Sequence, residues 1–162
     1  MIFMLEIREV TSPKEKSAIA ETILRGLPGW FGIEESTVQY IREAADLFLL
    51  CAFEENRPVG FVTIQENFPC TCEIHAMGVL PQCHRKGIGR ELVMQSANRY
   101  REKGFHYMTV KTVAAPEGGA EYELTRAFYK AMGFLPLDVF PTLWDERNPC
   151  LFLCKLLKAP EV

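Results

Sequence analysis

One strand-like segment that leads through a glycine-containing turn straight into an amphipathic helix restricts the fold of this chain more than any other feature. Alternating apolar residues predict the strand over residues 72–79, and apolar residues at helical spacing predict the helix over residues 87–103. A further strand is predicted over residues 106–112. Successive strands joined by a helix run parallel, with a right-handed crossover. The middle of the chain is therefore predicted to be a β-α-β unit of an α/β protein.

Strand and helix patterns on both sides of this unit extend the prediction to a mixed α/β fold with the element order βααβββαβαββ. The other strands are predicted over residues 5–11, 47–53, 59–65, 135–140 and 151–157, and the other helices over residues 13–24, 34–45 and 122–132. The three strands up to residue 79 are expected to form an antiparallel meander. Because no repeat or linker interrupts the sequence, we predict a single domain over residues 1–162.

The composition argues against several classes of protein. Of the 162 residues, 48% are hydrophobic and 24% are charged, as in ordinary globular domains. The formal charge of -3 argues against binding to nucleic acid or to a membrane surface. The apolar start, residues 1–5, is followed at once by charged residues, so no signal peptide is expected. The predicted location is the cytoplasm.

The six cysteines lie mostly inside apolar stretches, where a thiol behaves as a small hydrophobic group. This usage is typical of free thiols in a reducing compartment. The cluster Cys70, Cys72, His75, Cys83 and His84 lacks the spacing of a zinc site, and no second matching pair follows it. We therefore predict no metal.

The turn between the central strand and helix reads Val79-Leu-Pro-Gln-Cys-His-Arg-Lys-Gly-Ile-Gly-Arg90. Its two glycines, Gly87 and Gly89, allow backbone amides to approach a ligand closely. Three cations, Arg85, Lys86 and Arg90, lie beside a predicted helix N-terminus, whose unpaired N–H groups and dipole favour phosphate. The pattern predicts a phosphate-binding loop; the alternative is a tight turn with solvated basic side chains.

This stretch resembles motif A of the GNAT superfamily of N-acetyltransferases, Gln/Arg-x-x-Gly-x-Gly/Ala, with His84 at the Gln/Arg position and a Val-x-Pro lead-in at Val79 and Pro81. A second stretch, Ala127-Phe-Tyr-Lys-Ala-Met-Gly-Phe134, is similar to motif B, Phe/Tyr-Tyr-x-x-x-Gly-Phe. Both motifs occur in the expected order, with the expected helix and strand between them. The chain is therefore identified as a member of this superfamily.

The resemblance implies a mixed, mainly antiparallel, splayed sheet flanked by helices. It also implies that acetyl coenzyme A (acetyl-CoA) is the cosubstrate, with its pantetheine arm between the parting strands 72–79 and 106–112 and its pyrophosphate at the helix start. The implied cofactor-binding residues are Val79, His84, Arg85, Lys86, Gly87, Ile88, Gly89, Arg90, Thr112, Phe128 and Tyr129. The implied reaction is direct acetyl transfer to a primary amine in a ternary complex.

Transfer of an acetyl group to an amine needs a neutral nucleophile. For a lysine-like amine of pKa about 10.4, roughly one molecule in 2,500 is neutral at pH 7, a penalty of about 4.6 kcal/mol. Strand alternation predicts that Glu73 and His75 share a face with Val79. Glu73 is the first candidate for the base, since its spacing to Val79 resembles that of the glutamate in the superfamily's histone acetyltransferases; the alternative is a solvated charge. His75 is the second candidate.

The resemblance also assigns the remaining chemical roles. The backbone N–H of Val79 is expected to stabilise the oxyanion, because relatives carry a β-bulge where this strand splays. Tyr129 is expected to protonate the departing thiolate; the alternative is a core tyrosine beside Phe128.

The predicted acceptor pocket involves the loop 25–32 and the stretch 144–149, where loops shape the pocket in relatives. Trp30, Phe31 and Trp144 offer aromatic surfaces, and the nearby acids are Glu34, Glu35, Asp145 and Glu146. This composition, with His75 beside it, favours a small cationic amine. Protein lysine or N-terminal amine acetylation and a non-catalytic acyl-CoA-binding module remain as alternatives, and a homodimer is left open.

Overall fold

The protein is represented by a computed structural model that describes residues 4–161. Its strands are β1 Leu5–Glu9, β2 Phe48–Glu54, β3 Arg57–Phe68, β4 Thr71–Val79, β5 Tyr107–Val113, β6 Leu135–Asp145 and β7 Asn148–Leu156, and its helices are α1 Pro13–Arg25, α2 Glu34–Ala44, α3 Ile88–Glu102 and α4 Gly119–Ala131. This order confirms the predicted one, with a 3-10 turn at Pro81–Cys83 added before α3. The first three residues of the predicted apolar start, and the two ends of the predicted domain, lie outside the described residues.

The strands form a seven-stranded sheet in the order β1-β2-β3-β4-β5-β7-β6. Strands β4 and β5 pair in parallel, with Thr71 opposite Tyr107 and Ile74 opposite Val110. The β1–β2, β2–β3, β5–β7 and β6–β7 pairs are antiparallel. The prediction of a mixed, mainly antiparallel sheet with one parallel β-α-β unit is confirmed.

The chain divides into two compact units. The first unit comprises the chain up to Gln65 together with His75–Ser96, and the second comprises Glu66–Ile74 and the chain from Ala97 onward. The apolar face of α1 anchors the core of the first unit, where Ile23 and Leu24 are fully buried in a cluster that includes Phe61. The core of the second unit includes the fully buried side chains of Met108, Phe134 and Leu153.

In the first unit, α1 begins where the sequence predicts. The Ser12 hydroxyl accepts a hydrogen bond from the Glu15 backbone N–H at 3.3 Å, and Pro13 occupies the first helical position. Strand β4 approaches the end of α1 closely at Gly78, where a Cβ atom would lie 3.1 Å from Cγ2 of Ile23 in the helix and 2.7 Å from Cδ1 of Leu27 just after it. Glycine therefore fits here without a shift of its neighbours.

In the second unit, two element bounds differ from the prediction. Helix α4 begins at Gly119, three residues before the predicted start at Tyr122, because Gly118 takes a left-handed φ of +83° and caps the helix. The β6–β7 hairpin is longer than predicted, so Trp144 lies in a strand and not in a loop. Asp145 Oδ1 accepts hydrogen bonds from the backbone N–H groups of Arg147 and Asn148 at 2.8 and 3.0 Å, which closes a tight turn directly after the strand.

All six cysteines are free thiols. Burial raises the pKa of Cys51 and of Cys72 to about 12, so both thiols stay protonated and pack as small apolar groups. Over residues 4–161, no three His, Cys, Asp or Glu side chains come together as metal ligands. No helix in the same range is both long and apolar enough to cross a membrane.

Candidate active site

The turn between β4 and α3, which we call the basic loop (residues 84–90), has a backbone shape suited to an anion. Arg85 takes a left-handed φ of +63° and Gly87 one of +78°. A left-handed conformation costs a residue other than glycine about 1 kcal/mol or more, and such strain is often found at functional sites. A Cβ atom on Gly87 would meet nothing within 4 Å, so the space above this backbone is open. The first amides of α3 lie in the same turn and have no partner within the helix.

The charges of the basic loop are also suited to binding an anion. Arg85 and Arg90 are exposed and, among residues 4–161, neither forms an ion pair. Lys86 lies 3.5 Å from Glu54 Oε1, the side chain that closes β2. The Cys83 thiol donates weakly to the other Glu54 oxygen, at 3.9 Å, and burial raises the pKa of this thiol. The loop thus presents two uncompensated cations and one partly compensated cation beside a helix N-terminus.

The His84 side chain forms a hydrogen bond with the protein backbone. Its Nε2 lies 2.6 Å from the carbonyl oxygen of Val79, at the end of β4, and the imidazole N–H donates to that oxygen. Trp30 packs edge-on against the imidazole, with the ring centroids 5.7 Å apart. The residue at the predicted Gln/Arg position therefore ties the basic loop to the strand end that carries the predicted oxyanion donor.

A second group of side chains in the first unit surrounds His75. Its Nε2 forms a short hydrogen bond with Glu43 Oε2, and Tyr40 packs edge-on against its ring at 5.3 Å. Phe31 in turn packs edge-on against Tyr40 at 6.1 Å. Two predicted residues, His75 and Phe31, thus belong to one cluster that also contains Tyr40 and Glu43. We call these four residues the imidazole cluster.

The sequence analysis missed Glu43 and Tyr40. Both lie on α2, three residues apart, a spacing that places them on the same helical face. That spacing was visible in the sequence, but a Tyr-x-x-Glu pair is common on solvated helices and therefore carries little information alone. The pair gains its meaning from the structure, in which both side chains contact His75 on β4.

In the second unit, Glu73 is a compensated charge. Its Oε2 lies 2.6 Å from Lys111 Nζ, and Asn67 donates to its other oxygen at 3.4 Å. The Glu73 side chain is 8% exposed and that of Lys111 is 34% exposed. The Lys111 ammonium also lies 5.7 Å from the centre of the Phe152 ring. Lys111 is a third residue that was not predicted from the sequence, because a pairing across neighbouring strands depends on register.

Tyr129 is buried on α4. Its ring packs edge-on against Phe128 at 5.3 Å and against Phe134 at 5.5 Å. Its carbonyl oxygen accepts hydrogen bonds from the N–H groups of Met132 and Phe134, at 3.1 and 3.0 Å, where the helix ends. The second motif therefore fixes the orientation of the Tyr129 ring. Thr112, also buried, lies on β5 opposite Leu151.

The acids proposed for the acceptor pocket are not equivalent. Glu34 forms two hydrogen bonds of 3.0 Å with Arg25, and this pairing lowers the pKa of its carboxyl. Asp145 is occupied by the turn that it closes. In the first unit, Glu43 is bonded to His75, whose ring packs against Tyr40.

We compared the chain with known protein families, curated sequences and solved structures. A protein-family model described as "Acetyltransferase (GNAT) family" matches residues 16–134. A search of curated protein sequences found no match.

Several solved structures share the fold. A crystal structure from Desulfovibrio desulfuricans, described as a GNAT-family acetyltransferase, is 16% identical, covers 96% of this chain and 100% of its own, and has a TM-score of 0.81. The ribosomal-protein-S18-alanine N-acetyltransferase of Escherichia coli is 15% identical over 98% of this chain and 97% of its own, with a TM-score of 0.76. An aminoglycoside 6'-N-acetyltransferase complexed with coenzyme A is 15% identical over 97% of this chain and 99% of its own, with a TM-score of 0.73. At these identities the likeness is one of fold.

The Glu73–Lys111 pair gives a prediction about stability. Lys111→Met leaves a buried carboxylate without its main partner and should lower the free energy of unfolding by about 1–3 kcal/mol. Adding Glu73→Gln to this variant should recover part of the loss, because the remaining group is then neutral. Urea unfolding of the wild-type protein and of both variants measures these free energies.

The matched control is Lys103→Met, which removes a cation paired with Glu66 at 2.7 Å where both side chains are 49% exposed. This variant should lose less than about 1 kcal/mol. If Lys111→Met costs no more than Lys103→Met, Glu73 does not depend on its partner and is a freely solvated carboxylate.

Proposed function

The chain belongs to the GNAT family of acetyltransferases, and we propose that it transfers the acetyl group of acetyl-CoA directly to a primary amine within a ternary complex. The observation that carries this proposal is the basic loop, where left-handed backbone at Arg85 and Gly87 meets the start of α3. A helix N-terminus with added cations is suited to a pyrophosphate. The family match supplies the reaction class.

The fit to the cosubstrate rests on this chain's own residues. Arg85 and Arg90 would bind the pyrophosphate oxygens by charge, and the amides of Gly87, Ile88 and Gly89 would donate to them. The open space above Gly87 supports this assignment, since a side chain there would occupy the position of the anion. We extend the contacts along the cosubstrate to Thr112, Phe128 and Tyr129 on the resemblance of the second motif.

In the proposed reaction the amine nitrogen attacks the thioester carbon, the carbon–sulfur bond breaks and the amine loses one proton. The N–H of Val79 would donate to the developing oxyanion. The hydrogen bond from His84 to the Val79 carbonyl, 2.6 Å long, supports this role because it restrains that end of the strand. Tyr129, with its ring held between Phe128 and Phe134, would donate its hydroxyl proton to the thiolate.

We further propose that the acceptor is a small cationic amine. Trp30, Phe31 and Tyr40 lie in one unit and present aromatic surfaces that favour cations. Glu43 adds negative charge to the same cluster. Trp144, which the sequence analysis assigned to the same pocket, is 43% exposed on β6. One of the solved relatives is an aminoglycoside acetyltransferase, and another acetylates a protein alanine, so both acceptor classes belong in the test.

The proposal predicts acetyl-CoA-dependent acetylation of an amine. The protein is incubated with acetyl-CoA and a panel of polyamines, aminoglycosides, amino acids and lysine- or alanine-terminated peptides. Thiol release and the mass gain of one acetyl group on the amine are then measured. We expect turnover with at least one cationic small molecule. Turnover with peptides alone would indicate that the acceptor is a protein amine. Coenzyme A binding without any turnover would indicate a regulatory acyl-CoA-binding module.

The role of Tyr129 gives a second prediction. Tyr129→Phe keeps the buried ring but removes the hydroxyl, so coenzyme A binding and unfolding should change little while kcat falls by about ten- to a thousandfold. Tyr100→Phe is the matched control because it removes the hydroxyl of another buried tyrosine, on α3, to which the proposal gives no role in binding or transfer; its kcat should stay near that of the wild type. Wild-type turnover in Tyr129→Phe would make Tyr129 a core residue only.

A further inference from the structure

We propose that His75, held by Glu43, takes the proton from the acceptor amine, and that Glu73 does not. This inference rests on the proposed function and adds Glu43 to it as a positioning residue. Neither the family match nor the sequence motifs single out Glu43, which lies on α2 far from both motifs in the sequence. His75 and Glu43 are bonded to each other in the imidazole cluster, whereas Glu73 is paired with Lys111.

The hydrogen bond from Glu43 sets which nitrogen of His75 can accept a proton. A carboxylate only accepts hydrogen bonds, so the hydrogen of the neutral imidazole resides on Nε2, which faces Glu43 Oε2. The lone pair is therefore on Nδ1, and within residues 4–161 this nitrogen has no hydrogen-bond partner. The His75 side chain is 19% exposed, more than twice the 8% of Glu73. A carboxylate that orients an imidazole is a recurring way to prepare a general base.

Glu43 is suited to stabilise the imidazolium that forms. Burial raises the pKa of its carboxyl, but hydrogen bonds from Gln39 and His75 and the positive charges of a protonated His75 and of Arg42 outweigh burial, so the pKa is lowered. Glu43 is therefore ionised at neutral pH. The groups that face His75 from α2 are this carboxylate and the Tyr40 ring. An added proton on His75 would thus meet one negative charge and one aromatic edge.

Glu73 is placed less well for the same task. Its carboxylate already balances the Lys111 ammonium at 2.6 Å, and accepting a proton would leave that cation without its counter-charge. Asn67 contacts the second oxygen at 3.4 Å. The side chain is 8% exposed, so little of it is open to an acceptor. These contacts assign Glu73 to the structure of the sheet and leave the proton transfer to His75.

The proton balance of the step is simple. As the new nitrogen–carbon bond forms, the amine proton passes to Nδ1 of His75, and the Nε2–H hydrogen bond to Glu43 strengthens. The thiolate receives a proton from Tyr129 under the proposed function. Water then returns a proton to Tyr129 and removes one from His75, which resets the site. No oxidant or reductant takes part.

The kinetic test is kcat as a function of pH, from pH 5.5 to 9.5, at saturating amine in wild type and four variants. His75→Gln should lower kcat at pH 7 by about two to four orders of magnitude, and the deficit should shrink as the pH nears the amine's own pKa. Glu43→Gln should lower kcat by about ten- to a hundredfold. In this variant the acidic limb of the profile, meaning the fall of kcat towards low pH, should move to lower pH by about one unit. The reason is that a neutral amide stabilises an imidazolium less than a carboxylate does. Glu73→Gln should leave the limb in place.

The fourth variant, Glu102→Gln, makes the same chemical change at an exposed position at the end of α3 and should match wild type. If Glu73→Gln instead removes the acidic limb, or Glu43→Gln leaves it where it is, the proposal is wrong. The outcome is separate from that of the proposed function, which fails only if the wild-type protein acetylates no amine.

A second measurement does not need activity. The chain has three histidines, so each imidazole can be assigned in NMR spectra by single His→Gln variants and titrated with acid. Glu43→Gln should move the titration of His75 to lower pH and leave His84 and His106 unchanged. Equal movement of all three, or none at His75, would overturn the assignment of Glu43. A fold that is lost in Glu43→Gln would show in the spectra, and Glu43→Met, which is also neutral and of similar length, would then replace it.

Discussion

The change from strand to helix at the basic loop is the constraint on which the rest of the proposed chemistry depends. Left-handed backbone at Arg85 and Gly87 lets β4 end and α3 begin within a few residues, so unpaired amides and cations gather at one place. The same turn returns His84 to the carbonyl of Val79 at 2.6 Å. The proposed phosphate site and the geometry of the strand end are therefore linked through one loop.

Two carboxylates, Glu73 on β4 and Glu43 on α2, have different proposed roles because their partners differ. Glu73 faces a permanent cation, Lys111, and its charge is compensated. Glu43 faces a group that can gain or lose a proton, His75, and its charge becomes fully paired only when that proton arrives. A carboxylate beside a titratable imidazole supports proton transfer, whereas one beside lysine supports structure. The neighbouring group, more than the residue type, decides the chemistry.

The sequence predicted the element order, the parallel β-α-β unit and the basic loop because these depend on local periodicity and on glycine positions. It did not predict Glu43 or Lys111, since each acts through a residue brought near by packing or by strand register. The end of the β6–β7 hairpin was expected to be a loop because loops shape the acceptor pocket there in relatives, but the Asp145 side chain closes a tight turn and Trp144 lies in a strand. Sequence patterns predict local structure, whereas the partners of a side chain depend on contacts between elements.

The most direct test of the account is calorimetric binding of coenzyme A to the wild-type protein and to Arg85→Gln/Arg90→Gln. The two arginines were chosen because neither forms an ion pair within residues 4–161, so their loss should not disturb the fold. The control variant Lys14→Gln/Arg57→Gln removes equal charge elsewhere. We expect the loop variant to bind coenzyme A about tenfold or more weakly while pantetheine, which lacks the pyrophosphate, binds equally to all three proteins. Unchanged coenzyme A affinity in the loop variant would contradict the account.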